Sequence, residues 1–149
     1  PHLLKAANPH ILTLAPPINL DPKWWGPHTG YTLAKMGMSF VTLGLAAEFG
    51  PRGVAVNALW PRTVIATDAL KMIPGALSEA GRTPAIMADA AHAILVRPAR
   101  EVNGRFFIDE AVLREAGMTD FSGYAVDPSR ALLPDFFLDD PELEEALRR

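Results

Sequence analysis

Tyr31 and Lys35 lie four residues apart in a stretch whose apolar residues recur at steps of three and four. On a helix that spacing puts both side chains on one face, one turn apart. A phenol ionises near pH 10 and is a weak acid–base catalyst at neutral pH. A neighbouring ammonium favours the phenolate. At ~4 Å and an effective dielectric of ~20 the attraction is about 4 kcal/mol, before desolvation takes part of it back. The phenol would then approach the range of general acid–base work. On its own the spacing fits a solvent-facing pair as well. Its place between two buried apolar runs gives it weight.

The elements that must hold this pair follow from the apolar runs and their breakers. His10-Ile11-Leu12-Thr13-Leu14-Ala15, stopped by Pro16-Pro17, reads as a buried strand. Residues 54–59, ended by Trp60-Pro61, read as a second, and residues 105–108 after the Asn103-Gly104 turn as a third. Residues 28–49 read as a long helix with Leu33, Met36, Phe40, Leu43 and Ala47 on its apolar face, closed by Gly50-Pro51. Thr83 as N-cap and Pro84 at the first helical position open another, with Ile86, Ala90, Ala93 and Ile94 inward. Residues 16–27 form a stiff proline-rich loop. Its Trp24-Trp25 pair plugs a core edge or contact, or serves function. Residues 62–82 read as a lid with a Pro74-Gly75 turn; Lys71 and Arg82 there either meet an anionic substrate or are ordinary surface charge. Residues 109–149 are expected to be an irregular extension ending in a short acidic helix from Pro141, with Asp139, Asp140 and Glu142 solvated at its start.

Strands separated by helices of this length imply parallel crossovers. The expected fold class is α/β: the C-terminal half of a doubly wound parallel sheet, three parallel strands with flanking helices, in one domain over 1–149. Such sheets take ligands outside the carboxyl ends of their strands, here Ala15-Pro16, Trp60-Pro61 and Asp109.

Composition removes several classes. The chain has 149 residues, with 14 Lys and Arg against 17 Asp and Glu, a net charge of −3. That slight acidity argues against nucleic acid or an anionic membrane as partner. There is no cysteine, so no disulfide, zinc–thiolate site or cysteine nucleophile. His2, His10, His28 and His92 have no ligand spacing, and no metal is expected. No apolar run reaches the ~18 residues of a membrane span, so a cytoplasmic protein is expected.

Gly30-Tyr31-Thr32-Leu33-Ala34-Lys35, then Leu45-Ala46-Ala47-Glu48-Phe49, then the run from Pro51-Arg52-Gly53-Val54 to Leu59-Trp60-Pro61 resemble the second half of a short-chain dehydrogenase/reductase. The Leu14–Leu20 loop, the Ala58–Thr63 turn and Pro134-Asp135-Phe136-Phe137-Leu138-Asp139 narrow the resemblance to the hydroxysteroid dehydrogenase-like protein 2 group. It covers roughly residues 1–140 and implies a Rossmann-like domain and an NAD(P)-dependent oxidoreductase acting on a carbonyl/alcohol pair. Tyr31 would exchange the proton at the substrate oxygen. Lys35 would lower its pKa and bond the nicotinamide ribose. The segment after Pro61 would hold the carboxamide through the Val64 backbone and a threonine, Thr63 or Thr67. NADP is preferred over NAD by resemblance.

Two departures bear on activity. Arg62 stands where the family has glycine after this proline. Ala15 stands where the family has the triad serine, and one lost donor costs about 10²–10³ in rate. Thr13 or Thr29 could substitute. The alternative is therefore a weakly active or non-catalytic binding or assembly module. No glycine-rich pyrophosphate turn occurs in the chain, so the chain alone is expected to be inactive. The first strand's edge is expected to pair with further chain or with another copy, as in a homo-oligomer.

Overall fold

The structure is a computed structural model that describes residues 1–72 and 77–146. Pro74 and Gly75 lie outside the described residues, as does the Lys71 side chain. Strands β1 (His10–Thr13), β2 (Ala55–Trp60) and β3 (Phe106–Ile108) form one parallel sheet in that order. His10 pairs with Ala55 and Thr13 with Ala58; Ala58 pairs with Phe106 and Trp60 with Ile108. Helix α1 (Pro22–Trp25) is one turn inside the proline-rich loop, and α2 (Thr29–Phe49) crosses from β1 to β2. Helix α3 (Ala85–Leu95) crosses from β2 to β3, followed by α4 (Asp109–Glu115) and α5 (Pro141–Ala146).

Central β2 is buried along its whole length, as a strand covered on both faces must be. Its side chains alternate. Ala55 and Leu59 pack with Ile86, Ala90, Ile94 and Phe107 on one face. Val54 and Val56 pack with Ala46 under α2 on the other. Asn57, fully buried, gives its amide N–H to Val102 O (3.1 Å) and accepts from Arg105 N (3.0 Å). Asn103 does the converse, accepting from Val56 N (2.9 Å) and donating to Ala46 O (3.0 Å). These two amides fasten the approach to β3 onto β2.

The α/β class, the three parallel strands and the long helix agree with expectation; several details differ. β1 is half-buried, not buried, because it is a sheet edge. Helix α2 does not bury the face read from its periodicity. Thr32, Met36, Ser39, Thr42 and Ala46 face inward, while Leu33, Phe40, Val41 and Leu43 are exposed. The hydroxyls win the inner face because each finds a carbonyl: Thr32 donates to Trp24 O (2.6 Å), Ser39 to Pro16 O (2.7 Å), Thr42 to Met38 O (3.0 Å). Thr83 does not cap α3; Pro84 holds the N-cap position. Residues 109–115 are helical rather than irregular, with Val112 and Leu113 in the core and the buried pair Asp109-Glu110 at the start. Seven residues opening on two acids give too short an apolar pattern to read. The helix from Pro141 is described to Ala146.

Candidate active site

Beyond the carboxyl end of β2 the chain turns at Pro61 and lines a cavity of about 590 Å³. His28, Tyr31, Trp60, Thr67, Asp135 and Phe136 are on its wall, with Pro61, Val64, Ile65, Ala69 and Leu70 completing an apolar lining. Two distant parts of the chain build it: the start of α2, and a strap of residues 133–140. The α2 hydroxyl bonds and the Trp24–Trp25 turn set where α2 begins. Trp24 and Trp25 pack on Met36, Trp60 and Phe137, so the pair is a core plug beneath the site.

The strap is tied down along its length. Leu133 O accepts from Val64 N (3.0 Å), Asp135 N donates to Arg62 O (3.1 Å), and the Trp60 indole donates to Phe136 O (2.9 Å). Asn19 donates to Phe137 O (3.1 Å), and Lys23 pairs with Asp139. Phe137 adopts φ 71°, rare for a bulky residue and costing ~1–3 kcal/mol. Packing against Trp24 (5.7 Å), Trp60 (5.9 Å) and Tyr31 (6.1 Å between ring centroids) offsets it.

Tyr31 stacks on Phe137 at 12° and meets Phe136 edge-on at 80°. Its phenol is held above the usual value, by burial first and then by the charge of Asp135. The expected lowering by Lys35 is therefore not what the structure shows. The Lys35 ammonium lies 5.3 Å over the Trp60 ring and 3.4 Å from Leu14 O at the end of β1. Burial pushes the Asp135 carboxyl up to about 7; Asp109 adds to this, while the Phe136 N–H and Lys35 oppose it.

The segment after Pro61 is bonded to the strap and to the chain before α3. The Val64 N–H is engaged by Leu133 O (3.0 Å), and Val64 O accepts from Arg82 N (2.9 Å). Thr67 lines the cavity, whereas Thr63 is fully buried and outside its wall. Ala15 is fully buried. Thr29 donates to Trp25 O (2.7 Å). Arg82 is neither a lid cation nor a surface charge: it is 5% exposed and reaches Glu110 at 2.6 Å.

Sequence reasoning missed the charge cluster under this turn. Glu110, 1% exposed, meets Arg62 (2.6 Å), Arg82 (2.6 Å) and Arg114 (2.7 Å). Arg62 also binds Asp140 (2.6 Å) and Glu142 (2.7 Å), so those acids are latched rather than simply solvated. The residue that replaces the family's glycine thus clamps α4 and the strap to the end of β2. The departure at Arg62 was the only signal for it.

Comparisons with known proteins agree with this architecture. No protein-family model matches the chain. A putative dehydrogenase from Xanthomonas campestris of known structure is 72% identical, with a TM-score of 0.90 over 93% of this chain and 51% of its own. A short chain dehydrogenase from Mycobacterium thermoresistibile is 42% identical, with a TM-score of 0.83 over 94% of this chain and 50% of its own. The chain is similar, over nearly all of its length, to part of these short-chain dehydrogenases. Hydroxysteroid dehydrogenase-like protein 2 of Danio rerio is 56% identical over 143 residues, and that of Xenopus tropicalis 50% over 148. The chain spans about a third of the length of these curated relatives and about half of the two solved dehydrogenases. Among the described residues no helix is long and apolar enough to cross a membrane.

Proposed function

We propose that this chain forms the substrate side of an NAD(P)-dependent oxidoreductase interconverting a carbonyl and an alcohol, with Tyr31 exchanging the proton at the substrate oxygen. One observation carries the reading. The phenol is on the wall of an apolar cavity beyond the carboxyl end of β2, where α/β sheets take their ligands. Burial and Asp135 keep the proton on Tyr31, which suits a donor in carbonyl reduction. Lys35, beside the end of β1, is the residue that would hold the nicotinamide ribose. Pro61 and Thr67 share the wall with Tyr31, and about 590 Å³ accommodates a flat ring beside a small substrate, so these residues fit the nicotinamide end. A Val64 contact would require the Val64–Leu133 bond to open; Thr63 is the weaker of the two threonines. When bound, NADP or NAD supplies hydride-transfer chemistry at the carbonyl carbon. The apolar lining favours a lipid-like carbonyl or alcohol. A homo-oligomer belongs to the same proposal, supported by the exposed Leu33, Phe40 and Val41 on α2.

The test is turnover of a carbonyl panel with NADPH or NADH by the intact protein and by Tyr31→Phe. A loss of at least about 10²-fold is expected; equal turnover overturns the mechanism. A second reading, a binding module without catalysis, is favoured by Ala15, which offers the substrate oxygen no hydroxyl. Fluorescence titration of cofactor separates the two: binding followed by hydride transfer supports the enzyme, and no binding by folded intact protein supports the module.

A further inference from the structure

The oxidoreductase reading leaves the substrate oxygen one donor short. Ala15, fully buried at the end of β1, carries no hydroxyl. Three hydroxyls of α2 are spent on carbonyls: Thr29 on Trp25, Thr32 on Trp24, Ser39 on Pro16. On the cavity wall the Trp60 indole N–H is likewise taken, by Phe136 O. Besides Tyr31, the polar side chains on that wall are then His28, Thr67 and Asp135.

Asp135 is the one the strap holds rigidly. Its N–H is bonded to Arg62 O, and its Oδ1 accepts from Phe136 N at 2.7 Å. The next two residues are fixed through the Trp60 and Asn19 bonds, with Phe137 in its strained conformation. Strain of this kind concentrates where a side chain must be aimed. Asp135 shares the cavity with Tyr31, and its charge acts on the phenol.

We propose that the Asp135 side chain, on the cavity wall beside Tyr31, is a catalytic group that donates the second hydrogen bond to the substrate's carbonyl oxygen, the role Ala15 cannot fill. This rests on the oxidoreductase reading of the cavity. Asp135 makes and breaks no covalent bond; the proton delivered to the oxygen is the phenol's. A carboxyl kept neutral by an apolar site can donate in this way. The groups around it are Tyr31, Lys35 and His28 from α2 and its approach, Asp109 from α4, and Arg62, whose guanidinium is engaged by Glu110, Asp140 and Glu142. The donor form is present below about pH 7 and lost above it.

The experiment measures cyclohexanone affinity by ligand-observed NMR, and turnover with NADPH, for intact wild type, Asp135→Asn, Asp135→Leu and Tyr31→Phe between about pH 5.5 and 8.5. Wild-type affinity is expected to fall at least about tenfold as pH rises through 7. Asp135→Asn keeps a donor throughout and is expected to show no such fall; His28, still present in it, then cannot be the cause. Asp135→Leu is expected to bind about tenfold more weakly at low pH and to lose about 10²–10³ in kcat/KM. Wild-type affinity that is flat with pH, or Asp135→Leu binding like wild type below pH 7, overturns the proposal. Should Asp135→Leu not fold, the wild type against Asp135→Asn decides. Should Tyr31→Phe turn over normally while the Asp135 pattern in binding persists, the contact holds and the proton role of Tyr31 fails.

Discussion

The charge of Asp135 opposes ionisation of Tyr31, while burial opposes ionisation of Asp135 itself, with consequences at the scale of single residues. The Asp135 carboxyl is raised from 3.8 to about 7, so between those values the folded state holds a proton that the unfolded chain releases. Stability therefore falls as pH rises through that window, the reverse of a salt-bridged carboxylate. Asp135→Asn removes the cost. It is expected to gain about 1–3 kcal/mol above pH 7 and nothing near pH 4, read by urea denaturation at both pH values. The same substitution removes the charge that holds the Tyr31 proton. The pH at which alcohol oxidation rises is expected to move down in Asp135→Asn, as a pH–rate profile would show. That Tyr31 and Lys35 lie one turn apart at the start of α2 was legible in sequence, because helical spacing alone decides it. Asp135 was not, because only the fold brings the strap back to the start of α2.

At the scale of elements, the joints carry the site. Gly81 lies against Val64: a Cβ there would come within 2.6 Å of Val64 O, a backbone atom that cannot swing aside. Gly81→Ala is expected to cost about 1–3 kcal/mol and to weaken cavity ligands, since Val64 is on the wall; thermal denaturation and ligand titration check both. Arg62 joins β2 to α4 and the strap. Arg62→Ala leaves Glu110 still paired with Arg82 and Arg114, so the expected loss is about 1–3 kcal/mol rather than the larger cost of stranding a buried charge. It should also loosen the strap, read as faster amide exchange over 133–140. Strands and the long helix were readable because apolar runs and proline stops are local. The inward face of α2 was misread because its small hydroxyl residues turn inward once carbonyls satisfy them, and two of those carbonyls, Trp24 O and Pro16 O, lie outside the helix. Helix α4 escaped notice because its first turn buries acids whose partners, Arg62 and Arg82, lie far back in the chain.

At the scale of the molecule, stability rests on central β2 and the layers on its two faces. Leu59→Ala, in the larger core cluster, is expected to cost about 2–5 kcal/mol, measured by chemical denaturation. The other face leaves Leu33, Phe40 and Val41 open on α2, and β1 is paired on one side, with β2, among the described residues. The α/β class, the parallel strands and the placing of Tyr31 and Lys35 one turn apart on a long helix were read from the linear pattern, since each depends on periodicity and breakers within a few turns of chain. The cavity, the strap that closes it, the raised carboxyl of Asp135 and the burial of Glu110 beside three arginines were decided only by tertiary packing. Burial and charge proximity depend on which distant segments meet, and no local pattern encodes that.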